Sequence, residues 1–143
     1  MREVVDSVPV QNEEIARIFE EIADLLALRN ENPFRIRAYQ RAAQYIRGQQ
    51  RQMSDRVRES ADPVAALDAL PGIGKDLGVK IIEIVTTGRC KVLLRLRKQV
   101  PRGLLELLRI PGFGPKRVQA VHAHLKVRGR GDLERAILKS HSR

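Results

Sequence analysis

Leu70-Pro71-Gly72-Ile73-Gly74-Lys75 is followed, forty residues later, by Ile110-Pro111-Gly112-Phe113-Gly114-Pro115. In each stretch an apolar residue leads into Pro-Gly-apolar-Gly. A helical spacing then continues, with Val79, Ile81 and Ile82 after the first copy and Val118, Val121 and Leu125 after the second. Glycine lets backbone turn sharply and come close to an outside atom. The first N–H groups of a helix lack internal partners and carry partial positive charge. A Gly-x-Gly hairpin opening a helix is therefore built to hold an anion. Two of them in one chain fit a ligand with phosphates at regular spacing.

Working outward from the hairpins, most further segments read as helix, while the polar stretch Gln49–Glu59 reads as a turn or a short helix. Asn12 with Glu13 and Glu14 is expected to cap a helix whose Ile15, Ile18, Phe19, Ile22, Leu25 and Leu26 fall at helical spacing. Asn32-Pro33 starts a second, packed through Phe34, Ile36, Ala38, Tyr39, Ala42, Ala43 and Ile46 and closed near Gly48. Asp62-Pro63 caps a short helix before the first hairpin, and Thr86-Thr87-Gly88 closes the helix after it. Lys91 to Val100 forms another, stopped by Pro101. Gly103 to Leu108 leads into the second hairpin, Pro115 starts the helix to about Leu125, and Asp132 caps a last short one. No segment shows the period-two alternation of a strand. The fold class is all-α, in two small helical units, each holding one hairpin between helices. The expected division is a flexible tail at 1–11, a first unit at 12–88 and a second at 89–143, an internal duplication of helix, hairpin and helix.

Charge follows the hairpins. Of 143 residues, 27 are Lys or Arg and 17 Asp or Glu, for a net charge of +10. Residues 1–31 carry three arginines and eight acids, whereas 32–58 carry seven arginines and only Asp55. From Leu70 onward seventeen basic residues face five acids. Cations gathered on the hairpin segments favour a polyanionic partner over a merely solvated surface. With no tryptophan and five other aromatics, stacking readout of single strands is disfavoured. Cys90 is alone, and His122, His124 and His141 lack partners at metal-ligand spacing. No stretch is apolar enough to span a membrane, and MREVVDSVPV does not read as a signal peptide. The expected setting is cytoplasmic and nucleoid-associated, the expected state monomeric.

The two hairpins resemble the helix-hairpin-helix motif of DNA-binding proteins. The order of elements carries the resemblance further. Asn12-Glu-Glu-Ile, then Asn32-Pro-Phe-Arg-Ile-Arg-Ala-Tyr39-x-x-Ala-Ala43, the first hairpin, and Gly-Leu-Leu-Glu-Leu-Leu-Arg-Ile110-Pro-Gly-Phe-Gly together are similar to the N-terminal region of bacterial and archaeal family X DNA polymerases. In that family the first unit is a lyase-type domain holding the 5′ side of a gap, and the second holds the primer side. The resemblance implies duplex DNA with gaps, nicks or ends as partner, bound without sequence preference in DNA repair. The DNA ligands would be Gly72, Ile73, Gly74 and Lys75 at the first hairpin and Gly112, Phe113, Gly114, Lys116 and Arg117 at the second. It also implies a 5′-phosphate pocket framed by Arg35, Tyr39 and Lys75. No cofactor is required by this reading. A sodium or potassium ion would be held by backbone carbonyls of Leu70 and Ile73, and of Ile110 and Phe113. Nucleotidyl transfer needs paired carboxylates for two metal ions, and the chain has no Asp-x-Asp pair. It therefore reads as a fragment or as a stand-alone relative without polymerase activity.

Lys80 matches the family's Schiff-base lysine in Gly74-Lys-Asp-Leu-Gly-Val-Lys80-Ile81. Such a lysine acts as an amine on an abasic sugar, a role arginine cannot fill because it does not deprotonate. No lysine precedes Lys75 in the chain. Family members with strong lyase activity carry lysines where Asp68 and Asp76 stand here, so Lys80 reads first as an exposed DNA-contacting lysine and second as the lyase amine. Three functions stay open at this point: a DNA clamp, a 5′-deoxyribose-phosphate lyase, and a protein-interaction platform, the last disfavoured by the basic C-terminal half.

Overall fold

The computed structural model describes residues 8–125, and among them only helices and turns occur. The tail up to residue 7 and the expected helix after Asp132 lie outside the described residues. The elements are α1 (Asn12–Leu28), α2 (Pro33–Arg47), α3 (Met53–Glu59), α4 (Pro63–Asp68), α5 (Lys75–Thr87), α6 (Lys91–Gln99), α7 (Arg102–Leu108) and α8 (Pro115–Leu125). The all-α reading holds.

α1 and α2 form the central pair. The apolar stripe of α1 is buried as its periodicity requires, with Ile15, Phe19, Ile22, Leu25 and Leu26 all at or below 1% exposure. Ala42 and Ala43 let α2 approach closely, and the Tyr39 ring meets Phe19 edge-on at 5.3 Å. Leu67 of α4, Ile73, Ile81 and Ile84 of the hairpin and α5, and Leu93 and Leu96 of α6 complete one core. That core runs through Val100, past residues 88–89 where the sequence places the division between units. A smaller cluster joins Leu107 of α7 to Val118 of α8, and Leu28, Leu104 and Leu108 pack against both clusters.

Two expectations are corrected. Gln11, not Asn12, is the N-cap of α1. Asn12 is 4% exposed and ties the α2–α3 connection down. Its Nδ2 donates to the carbonyls of Gln49 and Arg51, its Oδ1 accepts from the Met53 N–H at 2.8 Å, and its N–H donates to Gln52 Oε1. A buried amide must find partners, and here all of them come from some forty residues away. Phe34 does not pack: it is 75% exposed, because the first turn of α2 projects beyond the core. Arg37 instead lies over its ring at 5.0 Å.

Three acids of α1 hold arginines of other helices. Arg47 of α2 forks between Glu13 and Glu20, and Arg97 of α6 makes two 2.7 Å bonds to Glu21. Burial, followed by repulsion from Glu20 and Glu21, pushes the Asp24 carboxyl up to about 6.

Candidate nucleic-acid interface

The two hairpins repeat bond for bond. The Leu70 N–H donates to Leu67 O at 3.0 Å, Ile73 N–H to Leu70 O at 3.1 Å, and Gly78 N–H to Gly74 O at 2.8 Å. Forty residues on, Ile110 donates to Leu107, Phe113 to Ile110 and Val118 to Gly114, each at 3.0 Å. Pro71 and Pro111 occupy the second turn position. Gly72 (φ 76°) and Gly112 (φ 86°) occupy the third, in the left-handed region that excludes most side chains. The sequence Pro-Gly thus produces the same tight turn twice.

The turn delivers the chain to a helix start with open donors. No side chain caps α5 at Gly74. Among the described residues the N–H groups of Gly74, Lys75, Asp76 and Leu77 find no partner, nor do those of Gly114, Lys116 and Arg117. Ile73 is 2% exposed, and Phe113 packs against the Leu107–Val118 cluster with Arg117 over its ring at 5.8 Å. Since their N–H groups are used inside the turns, Ile73 and Phe113 anchor the hairpins, while the glycines, Lys75, Lys116 and Arg117 are exposed. The carbonyls of Leu70 and Ile110 each accept a turn hydrogen bond and keep a second lone pair.

A Cβ built on Gly74 or Gly114 meets no atom within 4 Å. Neither residue has positive φ; Gly74 sits at −87°. Nothing inside the described chain therefore requires glycine at these two positions.

The hairpins differ in charge. The first turn of α5 carries Asp76, whereas that of α8 carries no acid. Asp76 accepts from Lys80 Nζ at 2.7 Å, one turn along α5. The Lys80 side chain is only 13% exposed. Burial disfavours its charge, but the Asp76 hydrogen bond and the field of Tyr39 outweigh this, and the ammonium pKa is raised. Tyr39 is buried, and its hydroxyl has no hydrogen-bond partner. Burial raises the phenol pKa against the opposing pull of Lys80 and Arg35. The structure thus brings Arg35, Tyr39, Lys80 and Asp76 together at the first hairpin. Phe34 stands exposed next to Arg35, although its helical position reads as core.

No group of three or more His, Cys, Asp or Glu among the described residues could hold a metal ion. No helix among them is long and apolar enough to cross a membrane.

Two comparisons relate the chain to known proteins. A family described as "Helix-hairpin-helix domain" matches residues 10–90. The chain is also similar to the DNA polymerase/3′-5′ exonuclease PolX of Bacillus subtilis (strain 168), with 31% identity over 127 residues. The match covers 89% of this chain and 21% of that protein, in its N-terminal part, so the chain spans about a fifth of the relative's length.

Proposed function

The chain belongs to the helix-hairpin-helix domain family, and we propose from that premise that it is a DNA-binding module of DNA repair or synthesis. It grips duplex at gaps, nicks or ends through the phosphates, using two backbone clamps. The observation that carries this reading is the pair of glycines at 74 and 114, which no internal contact requires. Their lack of side chains serves an outside group that must come close to free helix N–H donors. Phosphate is the anion such donors suit, and contacts of this kind carry no base information. The likeness to the N-terminal part of a DNA polymerase supports DNA as the source of those phosphates. Carbonyl oxygens at Leu70, Ile73, Ile110 and Phe113 would hold a sodium or potassium ion beside the phosphate.

Gly74→Ala and Gly114→Ala test the reading. Each variant keeps the helical fold, because its methyl meets open space. Each loses on the order of tenfold in affinity for gapped duplex, the loss of a charge-assisted hydrogen bond. Full affinity in both variants would leave surface charge alone as the cause of binding and remove the backbone clamp.

A second reading rests on the grouping of Lys80 with Arg35 and the unpartnered Tyr39 hydroxyl. In it, Arg35, Tyr39 and Lys75 receive a 5′-phosphate, and Lys80 Nζ adds to the aldehyde carbon of an abasic sugar. Loss of water forms the imine, and loss of the neighbouring carbon's proton breaks the C–O bond to the 3′ phosphate. The reading depends on releasing Lys80 from Asp76, since an ammonium is not a nucleophile.

A further inference from the structure

Gln119 stands on α8, just after the second hairpin, and reaches the far end of α1. Its Nε2 lies 2.7 Å from the Ala27 carbonyl, 3.0 Å from the Leu28 carbonyl and 3.3 Å from Asn30 Oδ1. The last carbonyls of a helix lack intrahelical donors and form its negative end. α1 has no basic side chain in its last turn to offset that end. Asn30, at φ 56°, takes the left-handed conformation that turns the chain from α1 toward α2, and its side-chain oxygen joins the same amide. Three acceptors from one helix end thus converge on one donor of the second hairpin's helix.

The packing around this contact agrees with it. Leu28, the last residue of α1, packs against the main core and against the Leu107–Val118 cluster alike. Val118, next to Gln119, is fully buried. The Arg97–Glu21 fork ties α6 to the middle of α1 as well, but it is partly exposed and contributes little by comparison.

We propose that Gln119 is a positioning residue, a latch that fixes the second hairpin on the C-terminal end of α1. The two phosphate grips then address DNA at one set separation and angle. The consequence for DNA rests on the two-clamp reading; the latch itself does not. With the spacing preset, the second grip engages at high effective concentration once the first is bound. DNA whose two contact points match that spacing is selected over DNA that does not.

The test uses the full chain with spin labels at Gln50→Cys and Ala123→Cys, both exposed positions outside the hairpins. Cys90 is 1% exposed and stays unlabelled. Without DNA, the intact latch gives one narrow distance distribution. Gln119→Leu, similar in size but without donors, broadens it. Asn30→Gly, which keeps the turn and removes one acceptor, broadens it less and serves if the first variant does not fold. Affinity for gapped duplex falls about tenfold in Gln119→Leu, because the second grip loses its preset position. A distribution as narrow as the parent's in every variant that folds, even with a lowered melting temperature, makes Gln119 a mere helix cap and overturns the latch. Absence of DNA affinity in the parent chain overturns the two-clamp reading, and the distance measurement still decides the latch.

Discussion

At the scale of single residues, the lyase reading turns on the pairing of Lys80 with Asp76. The carboxylate accepts a 2.7 Å bond from the ammonium and, with Tyr39, raises its pKa against the effect of burial. At neutral pH this leaves less free amine than an ordinary lysine has. In Asp76→Asn the largest contribution opposing burial is lost and that of Tyr39 remains, so the pKa falls and the free-amine fraction rises. Borohydride trapping on DNA ending in a 5′ abasic sugar is therefore expected to be several-fold faster in Asp76→Asn, with its pH profile displaced to lower pH. Lys80→Ala is expected to give no adduct. An adduct of unchanged yield in Lys80→Ala would take Lys80 out of any lyase chemistry. The pairing of these two residues was legible from their i, i+4 spacing on one helix. The Tyr39 hydroxyl beside them was not, because α2 meets α5 only through the tertiary fold.

At the scale of elements, the hairpin is made by local rules and seated by one long-range fit. Proline at the second turn position and positive-φ glycine at the third close the turn whatever surrounds it. Seating depends on Gly78, inside α5. A Cβ there would stand 3.3 Å from Leu67 Cβ and 3.9 Å from the Asp68 nitrogen, so glycine permits α4 and α5 to touch. In an isolated helix this glycine would be only a cost of about 1 kcal/mol relative to alanine. Gly78→Val is expected to push α4 away from α5 and lower stability by about 1–3 kcal/mol in urea unfolding. An unchanged midpoint would show that the contact bears no strain. The same division between local and distant causes explains the misread elements. The boundaries of α2, α4, α5 and α8 follow from Asn32-Pro33, Asp62-Pro63, Gly88 and Pro115, all visible in sequence. Asn12 has the residue type of a cap, but its partners at Gln49, Arg51 and Met53 draw it one place into the helix and into the core.

At the scale of the molecule, the net charge of +10 is unevenly spent. Arg47 and Arg97 are occupied by acids of α1, while Lys75, Lys116 and Arg117 stand exposed beside open helix starts. If the two clamps and these cations neutralise about four phosphates, affinity for duplex falls roughly 100-fold between about 50 and 200 mM salt. A dissociation constant indifferent to salt would exclude phosphate as the main ligand. What the sequence determined by itself is what depends on neighbours along the chain: most of the helices, the caps at Asn32 and Asp62, both Pro-Gly turns, and the placing of cations around them. Local sterics and hydrogen bonding act within a few residues and leave a readable pattern. The tertiary structure alone decided which faces meet. It exposed Phe34, brought Arg35 and Tyr39 to Lys80, carried the core past residue 88 to Val100, and set Gln119 on the end of α1. Helical periodicity says which side of a helix is buried, but not what is buried against it, and the relation between the two hairpins lies in that second choice.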